Sequence, residues 1–341
     1  MTDLPDTMRA LMLTGPEALV LQEVPRPSPG PGQILVRMAA SPVNPSDLMT
    51  LKGEYGTGRD YPAIPGLEGA GRVVAAGPGV MGRVLVGKAV ALATGEGGLW
   101  ADYAVVDAAR AIPLPAGVSL GSGAMSAVNP LTAIALLSLA RGKGHWSVVS
   151  TGAGGQLGRM IRKRAREKGV KVINVVRRAE QVAQLEAEGA RHVLNAADAR
   201  FDEDLARLCR DLRCRMAFDA VGGAMTGRLV EALGPRSEVL VYGALAQAAI
   251  QLHPGTMIFR EATVRGFWLS KWLPRKSLPV MLWHAREATR ALRGGFAVSD
   301  VARIVAPEEV AVGIAAYEAR MSAGKTLIRF DDADLGVAPA G

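Results

Sequence analysis

Between His145 and Arg178 the chain runs from an apolar stretch through a glycine-rich turn and a helical pattern into a second apolar stretch. His145-Trp-Ser-Val-Val-Ser150 reads as a short buried strand and leads directly into Thr151-Gly-Ala-Gly-Gly-Gln-Leu-Gly158. A helical pattern follows to Lys168, then Val170-Lys-Val-Ile-Asn-Val-Val176, closed by Arg177 and Arg178. Strand, glycine turn, helix and strand in this order form the first unit of a dinucleotide-binding fold. Glycine is needed there because the turn is tight and because the backbone must approach a pyrophosphate closely. The N–H groups and the positive helix end then bind the charge. Gly152, Gly154, Gly155, Gln156, Leu157 and Gly158 are therefore candidate cofactor residues. The turn alone also fits an ordinary glycine-rich surface loop; the flanking strand and helix favour the nucleotide site.

The end of the second strand indicates which nucleotide. A chain that binds NAD carries Asp or Glu about 20 residues past the glycines, to hold the ribose 2′-OH. Here Arg177 and Arg178 stand at that place, and no carboxylate follows until Glu180. A guanidinium suits a 2′-phosphate and gains little from a bare hydroxyl. NADPH is the expected cofactor, although either arginine of so arginine-rich a chain also reads as a solvated charge.

With 341 residues the chain is long enough for two domains. Its 49% hydrophobic and 21% charged residues are ordinary for a globular protein. The net charge of +8 is compatible with nucleic acid, but no recognisable nucleic-acid module accompanies it. Phosphorylated cofactors and acidic carriers fit the charge equally well. Cys209 and Cys214 make no disulfide framework and point to a reducing compartment. The N-terminal segment has neither a basic start nor an apolar core, and no apolar run approaches the ~20 residues of a membrane helix. A cytoplasmic protein without a membrane partner is expected.

Residues 1 to about 122 read as mostly β, with apolar runs at Gln33–Ala40, Gly71–Ala76, Ala89–Ala93 and Tyr103–Val106 between Pro and Gly turns. A helical stretch from Ser119 to Ala140 precedes the glycine unit. Beyond it, strand patterns at Val193–Leu194, Met216–Asp219 and Glu238–Tyr242 alternate with helical patterns at Phe201–Leu212 and Met225–Leu233. Such alternation implies a parallel sheet with helices on both faces. Helical patterns at Ser277–Leu292 and Pro307–Met321 and a strand at Lys325–Phe330 follow, with Asp331–Gly341 expected to fray. The expected organisation is a β-rich domain, 1–122 and 268–341, into which a nucleotide domain, 123–267, is inserted.

This order resembles the medium-chain dehydrogenase/reductase superfamily over residues 8 to 330. Leu67-Glu68-Gly69-Ala70-Gly71, with Gly77 closing the strand, is similar to the superfamily's signature. The resemblance implies an α/β fold: a GroES-like β-barrel catalytic domain with an inserted Rossmann doubly wound parallel-sheet domain. The superfamily's zinc enzymes have a His before the Glu, where this chain has Leu67, and a Cys in the early loop, where it has Asn44. Catalytic zinc needs three protein ligands, and His145, His192, His253 and His284 show no ligand spacing, so no metal is expected.

Within the zinc-free branch, Asn44-Pro-Ser-Asp47, Gly53-Glu-Tyr-Gly56, Val128-Asn-Pro-Leu-Thr-Ala133, Asp219-Ala-Val-Gly-Gly223, Tyr242-Gly-Ala244 and Gly266-Phe-Trp-Leu-Ser-Lys-Trp272 resemble the 2-enoyl thioester reductases. These reduce enoyl-CoA or enoyl-carrier-protein with NADPH. Asn44 and Tyr55 also occur in the related quinone oxidoreductases. The family commonly has Asn or Ser in the glycine turn, where this chain has Gly154-Gly155-Gln156.

Reduction of an activated double bond needs a hydride at the β carbon, stabilisation of the carbonyl oxygen and a proton at the α carbon. The resemblance places Tyr55 on the family's catalytic tyrosine, although its position alone also suits an aromatic packing a loop. Asn44 is implied to contact the nicotinamide end or to orient Tyr55; a turn-forming Asn is the alternative. Asn129 and Thr132 read equally as cofactor contacts or helix caps. Tyr242, Gly243, Phe267 and Trp268 complete the implied cofactor set, with Phe267, Trp268 and Trp272 fitting domain core as well. Lys271, Arg275 and Lys276 suit the phosphates of an acyl carrier or a solvated basic face. The arginine-rich run from Arg159 to Arg166 reads mostly as a wet helix face. A homodimer is expected from the family. Three functions stay open: an enoyl thioester reductase, a quinone or other activated-alkene reductase, and an NADPH-binding protein without turnover.

Overall fold

Two large sheets and one two-stranded sheet organise the described residues. The computed structural model describes residues 4–56, 60–273, 286–287, 289–291 and 299–339. The expected helix Ser277–Leu292 falls largely outside these residues, and Arg275, Lys276 and His284 fall wholly outside them. One compact unit comprises Met1–Pro130 and Ala285–Gly341, the other Leu131–His284.

In the first unit, β1 (Thr7–Leu13) and β2 (Leu19–Pro25) form an antiparallel pair. The main sheet is built from β3 (Gln33–Pro42), β4 (Glu68–Ala76), β5 (Ala89–Ala93), β6 (Tyr103–Asp107) and β7 (Ile112–Pro113). Four helices accompany them: α1 (Pro45–Leu51), α2 (Val80–Leu85), α3 (Leu120–Ala124) and α4 (Val128–Gly142), the last running on into the second unit. β3 is its backbone, buried along almost its whole length and paired with β4 and β6. A side chain at Gly71 would come within 2.1 Å of the Arg37 carbonyl, so the close pairing of β3 and β4 requires glycine there. Trp100, Leu92, Met38 and Val36 fill the core beneath.

The second unit holds β8 (Ser147–Ser150), β9 (Lys171–Val176), β10 (His192–Asn195), β11 (Met216–Asp219), β12 (Glu238–Val241) and β13 (Thr263–Gly266). They form a six-stranded sheet in the order β10-β9-β8-β11-β12-β13, every pair parallel. The order reverses between β8 and β11, which makes the C-terminal ends of those strands the switch point where such sheets bind ligands. Helices α5 (Gln156–Glu167), α6 (Ala179–Ala187), α7 (Phe201–Asp211), α8 (Ala224–Ala232), α9 (Pro254–Arg260) and α10 (Leu269–Trp272) connect and follow the strands. In α7 the buried residues Phe201, Leu205 and Cys209 recur at helical spacing, while Asp202, Glu203 and Asp204 sit in the first turn, where the helix dipole favours them.

The chain then completes the first sheet with β14 (Val301–Val305), α11 (Val310–Ala319) and β15 (Lys325–Arg329). β14 pairs parallel with β15, and β15 pairs antiparallel with β3. The sheet thereby reaches seven strands, in the order β14-β15-β3-β4-β5-β7 with β6 on β3.

Several expectations are corrected. The helix foreseen from Ser119 to Ala140 is two helices, broken at 125–127. The cause is a tertiary one: the Glu68 carboxylate takes the N–H groups of Ala127 and Val128, which start a new helix there. The pattern at Pro307–Met321 opens as a 3₁₀ turn and ends at Ala319. The compact units break at 130/131 and 284/285, later than the 122/123 and 267/268 foreseen from sequence. At the first break α3 packs with β3, β4 and β5; near the second, Phe267 still donates to the Val241 carbonyl of the nucleotide sheet. The C-terminal segment does not simply fray, because Leu335 is buried and its carbonyl accepts the Gly121 N–H at 2.9 Å. Leu335 packs with Ala39, Ala124 and Leu327. Leu335→Ala is accordingly expected to lower the stability by about 2–5 kcal/mol in urea unfolding. A change under about 0.5 kcal/mol, the size seen at exposed positions, would restore the frayed tail.

Candidate active site

The first unit contains a buried polar cluster at the end of β3. Because β15 pairs with β3 up to Pro42, and Val43 donates to the Thr326 carbonyl at 2.8 Å, Lys325 meets the loop that carries Asn44. Lys325 Nζ donates to Asn44 Oδ1, and Asn44 Nδ2 donates to Glu68 Oε2 at 3.2 Å. Glu68 Oε1 accepts the Ala127 and Val128 N–H groups, both at 2.7 Å. Asp47, in the first turn of α1, accepts the N–H groups of Asn44 (2.8 Å) and Leu67 (3.1 Å). Asn44, Asp47, Glu68 and Lys325 are all buried. The Lys325 ammonium also lies 5.6 Å from the centre of the Tyr317 ring.

Asn44 thus holds a carboxylate and an ammonium together, and its carboxamide is fixed from both sides. Tyr55 lies in the loop after α1, half-buried, between Gly53 and Gly56, whose φ values of 74° and 87° are left-handed. Leu67 is buried. Among the described residues no group of three or more His, Cys, Asp or Glu is placed to hold a metal ion.

The second unit contains the glycine turn. Gly152 has φ of 60°, and a Cβ on Gly158 would come within 2.5 Å of the Ala153 carbonyl, so both positions demand glycine. Gly155 is the N-cap of α5 and offers no side chain to cap the first N–H groups. Backbone donors at an uncapped helix start, with nothing projecting from the turn, fit a dinucleotide pyrophosphate. Arg162, expected on the wet face of α5, instead donates inward to the Ala153 carbonyl at 2.5 Å and braces the turn. Its guanidinium and that of Arg159 are also paired with Glu188. Arg164 too is largely covered, against Glu167 at 2.8 Å.

Arg177 and Arg178 close β9 as expected. Arg177 is exposed, and Arg178, half-buried, pairs with Glu180 at 2.8 Å. The switch point is held by Asp219, fully buried, which accepts Thr151 Oγ1 (2.8 Å), Thr226 Oγ1 (2.7 Å) and the N–H of Val221 (2.9 Å). Tyr242 donates its N–H to the Asp219 carbonyl at 2.9 Å. Burial, and then the charge of Asp219, push its phenol pKa up. Gly243 comes so near Ala220 that a Cβ would lie 2.7 Å from its carbonyl. Phe267 is buried and its ring centre lies 5.8 Å from that of Trp272, while Lys271 Nζ lies 5.5 Å from the Trp268 ring centre. On α4, Asn129 is half-buried and Thr132 buried; Glu68, not Asn129, satisfies the first N–H groups of that helix.

Sequence reasoning missed Lys325, Asp47 and Thr151 as site residues and took Glu68 only as part of a signature. A charged residue between apolar and glycine positions, as at Leu67-Glu68-Gly69, was the available signal.

Burial raises the Asp47 carboxyl to a pKa of about 7 from 3.8, outweighing the two N–H donors, and burial raises Glu68 as well. A carboxyl with a folded-state pKa above its unfolded value binds extra protons when folded. Its contribution to stability is therefore full below the unfolded value and is lost as the pH rises to about 7. Asp47→Asn has no such titration. Wild type is expected to lose on the order of 2–4 kcal/mol relative to that variant between acid and neutral pH. A pH-independent difference in chemical denaturation would show that folding leaves the Asp47 carboxyl unshifted, and a wild type that gains stability with pH would show that it is held ionised.

The model of the alcohol dehydrogenase GroES-like domain matches residues 30–116, and that of the zinc-binding dehydrogenase matches residues 157–284. The mitochondrial enoyl-[acyl-carrier-protein] reductase of Bos taurus is 32% identical over 249 residues, 71% of this chain and 66% of the relative. That of Rattus norvegicus is 33% identical over 246 residues, 70% of this chain and 65% of the relative. The match thus spans just under two thirds of each mitochondrial protein. A Mesorhizobium loti protein, provisionally assigned as an NADPH:quinone reductase, has a crystal structure 35% identical to this chain. The likeness covers 96% of this chain and 100% of that one, with a TM-score of 0.87. Among the described residues no helix is long and apolar enough to cross a membrane. The paired domains, the sheet order and a relative matched over its full length place this chain in the medium-chain dehydrogenase/reductase superfamily.

Proposed function

We propose that this protein is an NADPH-dependent, zinc-independent reductase of the C2=C3 double bond of a 2-enoyl thioester, carried on CoA or on an acyl-carrier protein. The observation that carries the reading is the uncapped glycine turn at the start of α5 with two arginines at the end of β9. The likeness to enoyl-[acyl-carrier-protein] reductases supports the thioester substrate. The likeness to the Mesorhizobium loti protein supports a second reading, reduction of a quinone or another activated alkene.

NADPH, when bound, supplies the hydride that goes to the β carbon. The glycine turn and the first N–H groups of α5 hold its pyrophosphate, and Arg177 and Arg178 its 2′-phosphate. The Arg178–Glu180 pair is open to solvent, with side-chain exposures of 39% and 71%, so it is a weak competitor for a phosphate dianion. Tyr242, Gly243, Asn129, Thr132, Phe267 and Trp268 serve the rest of the cofactor. The Tyr55 hydroxyl gives the proton to the α carbon. Asn44 positions the start of α1, and hence the loop that carries Tyr55, from the buried cluster with Glu68 and Lys325. With Asn44 and Leu67 where zinc ligands would stand, no step is assigned to a metal.

Tyr55→Phe should therefore cut kcat on crotonyl-CoA by roughly 10²–10⁴-fold while NADPH affinity is kept. Rates of NADPH oxidation with crotonyl-CoA, a longer enoyl-CoA and a simple quinone test this together. An unimpaired Phe variant would remove Tyr55 from the chemistry, and turnover of quinone alone would favour the second reading. Absence of turnover with every enone would leave a nucleotide-binding protein.

A further inference from the structure

The amide of Gln181 lies across the glycine turn. Gln181 stands in the first turn of α6, immediately after the two arginines. Its Oε1 accepts the backbone N–H of Arg177 at 3.3 Å. On the other side, a Cβ built on Gly154 would meet Gln181 Nε2 at 2.6 Å and Cδ at 3.1 Å. The side chain therefore bridges the end of β9 and the turn before α5, in a position from which a side chain at residue 154 would displace it.

These two anchors are the places where a dinucleotide fold receives two parts of its ligand. The pyrophosphate rests on the glycine turn, and the 2′ position of the adenosine ribose rests at the end of the second strand. Gln181 touches both places, so a ribose that joins them would lie beside its amide. With Oε1 occupied by Arg177, the group left to face a ligand is the Nε2 amide, a neutral donor with two hydrogens. A donor suits a phosphate, which only accepts, whereas a carboxylate at the same place would suit a 2′-hydroxyl.

We infer that Gln181 is a specificity-determining residue that donates to the 2′-phosphate, and that Gly154 is the cleared position that lets it do so. This rests on the NADPH reading above. It adds a determinant outside the arginine pair and couples it to the turn. Unlike the arginines, Gln181 adds no charge, so it contributes direction and distance discrimination.

Calorimetric titration of NADPH and NADH into the wild-type protein, Gln181→Ala, Gln181→Glu and Gly154→Ala tests it. Wild type should prefer NADPH; equal affinities would overturn the cofactor reading itself. Given that preference, Gln181→Ala should weaken NADPH by roughly tenfold or more, the size of one hydrogen bond to a charged group, and leave NADH nearly unchanged. Gln181→Glu should weaken NADPH further, by like-charge repulsion, and keep or improve NADH. Gly154→Ala should reduce the preference for NADPH in the wild-type background and have little added effect on it in Gln181→Ala. Equal losses for both cofactors, or no loss, in Gln181→Ala and Gln181→Glu would overturn the role of Gln181 while leaving the NADPH reading intact. Independent effects of the two positions would overturn their coupling.

Discussion

A buried carboxylate organises the first unit. Glu68 has no access to water and is satisfied by two backbone N–H groups and the Asn44 amide, with the Lys325 ammonium one group further on. A charge without solvent persists only where such donors surround it. The three donors come from two distant parts of the chain, the loop after β3 and the start of α4, so one side chain fixes several elements. It starts α4, anchors the loop after β3, and through Asn44 ties that loop to β15. Losing one member of such a cluster leaves the others buried without partners, at a cost of about 3–5 kcal/mol. Burial still raises the pKa of the Glu68 carboxyl, and it takes that of Asp47, which has two backbone donors and the nearby Lys325 charge, to about 7.

The second unit works on a different principle. Its site is made by omission: glycine at 152, 158 and 243 lets backbone approach where any Cβ would be strained or would collide. The space so cleared is held in shape by side chains that reach in from elsewhere. Arg162 fixes the Ala153 carbonyl from α5, Asp219 gathers Thr151 and Thr226 at the switch point, and Gln181 lies over Gly154. Rigid support of an open backbone surface is what preorganised binding of a phosphate group requires.

Much of the fold was legible where local pattern and tertiary structure agree. Ala89–Ala93 and Met216–Asp219 were read with the bounds they have, because each is a short apolar run bordered by polar or glycine positions and buried in a sheet. Strands that carry no such contrast were missed. β13 is mostly exposed at the edge of its sheet, and β2 is exposed or half-buried throughout. The break between α3 and α4 was invisible because a carboxylate from another strand causes it. The glycine turn and the arginine pair were legible as runs of consecutive residues, and they lie before α5 and after β9 as the pattern implied. Lys325 was not, for it meets Asn44 across 281 residues of sequence. Gln181 carries no motif at all, and its place over Gly154 emerges only when the two strands are folded together.

The proposed reaction puts a hydride on the β carbon and a solvent-exchangeable proton on the α carbon of an enoyl thioester. Reduction of crotonyl-CoA with unlabelled NADPH in D₂O reads both transfers in one product. The account predicts butyryl-CoA with a single deuterium, at the α carbon, detected by NMR and mass spectrometry. Deuterium at the β carbon, or no reduction of the thioester while a quinone is turned over, would contradict it.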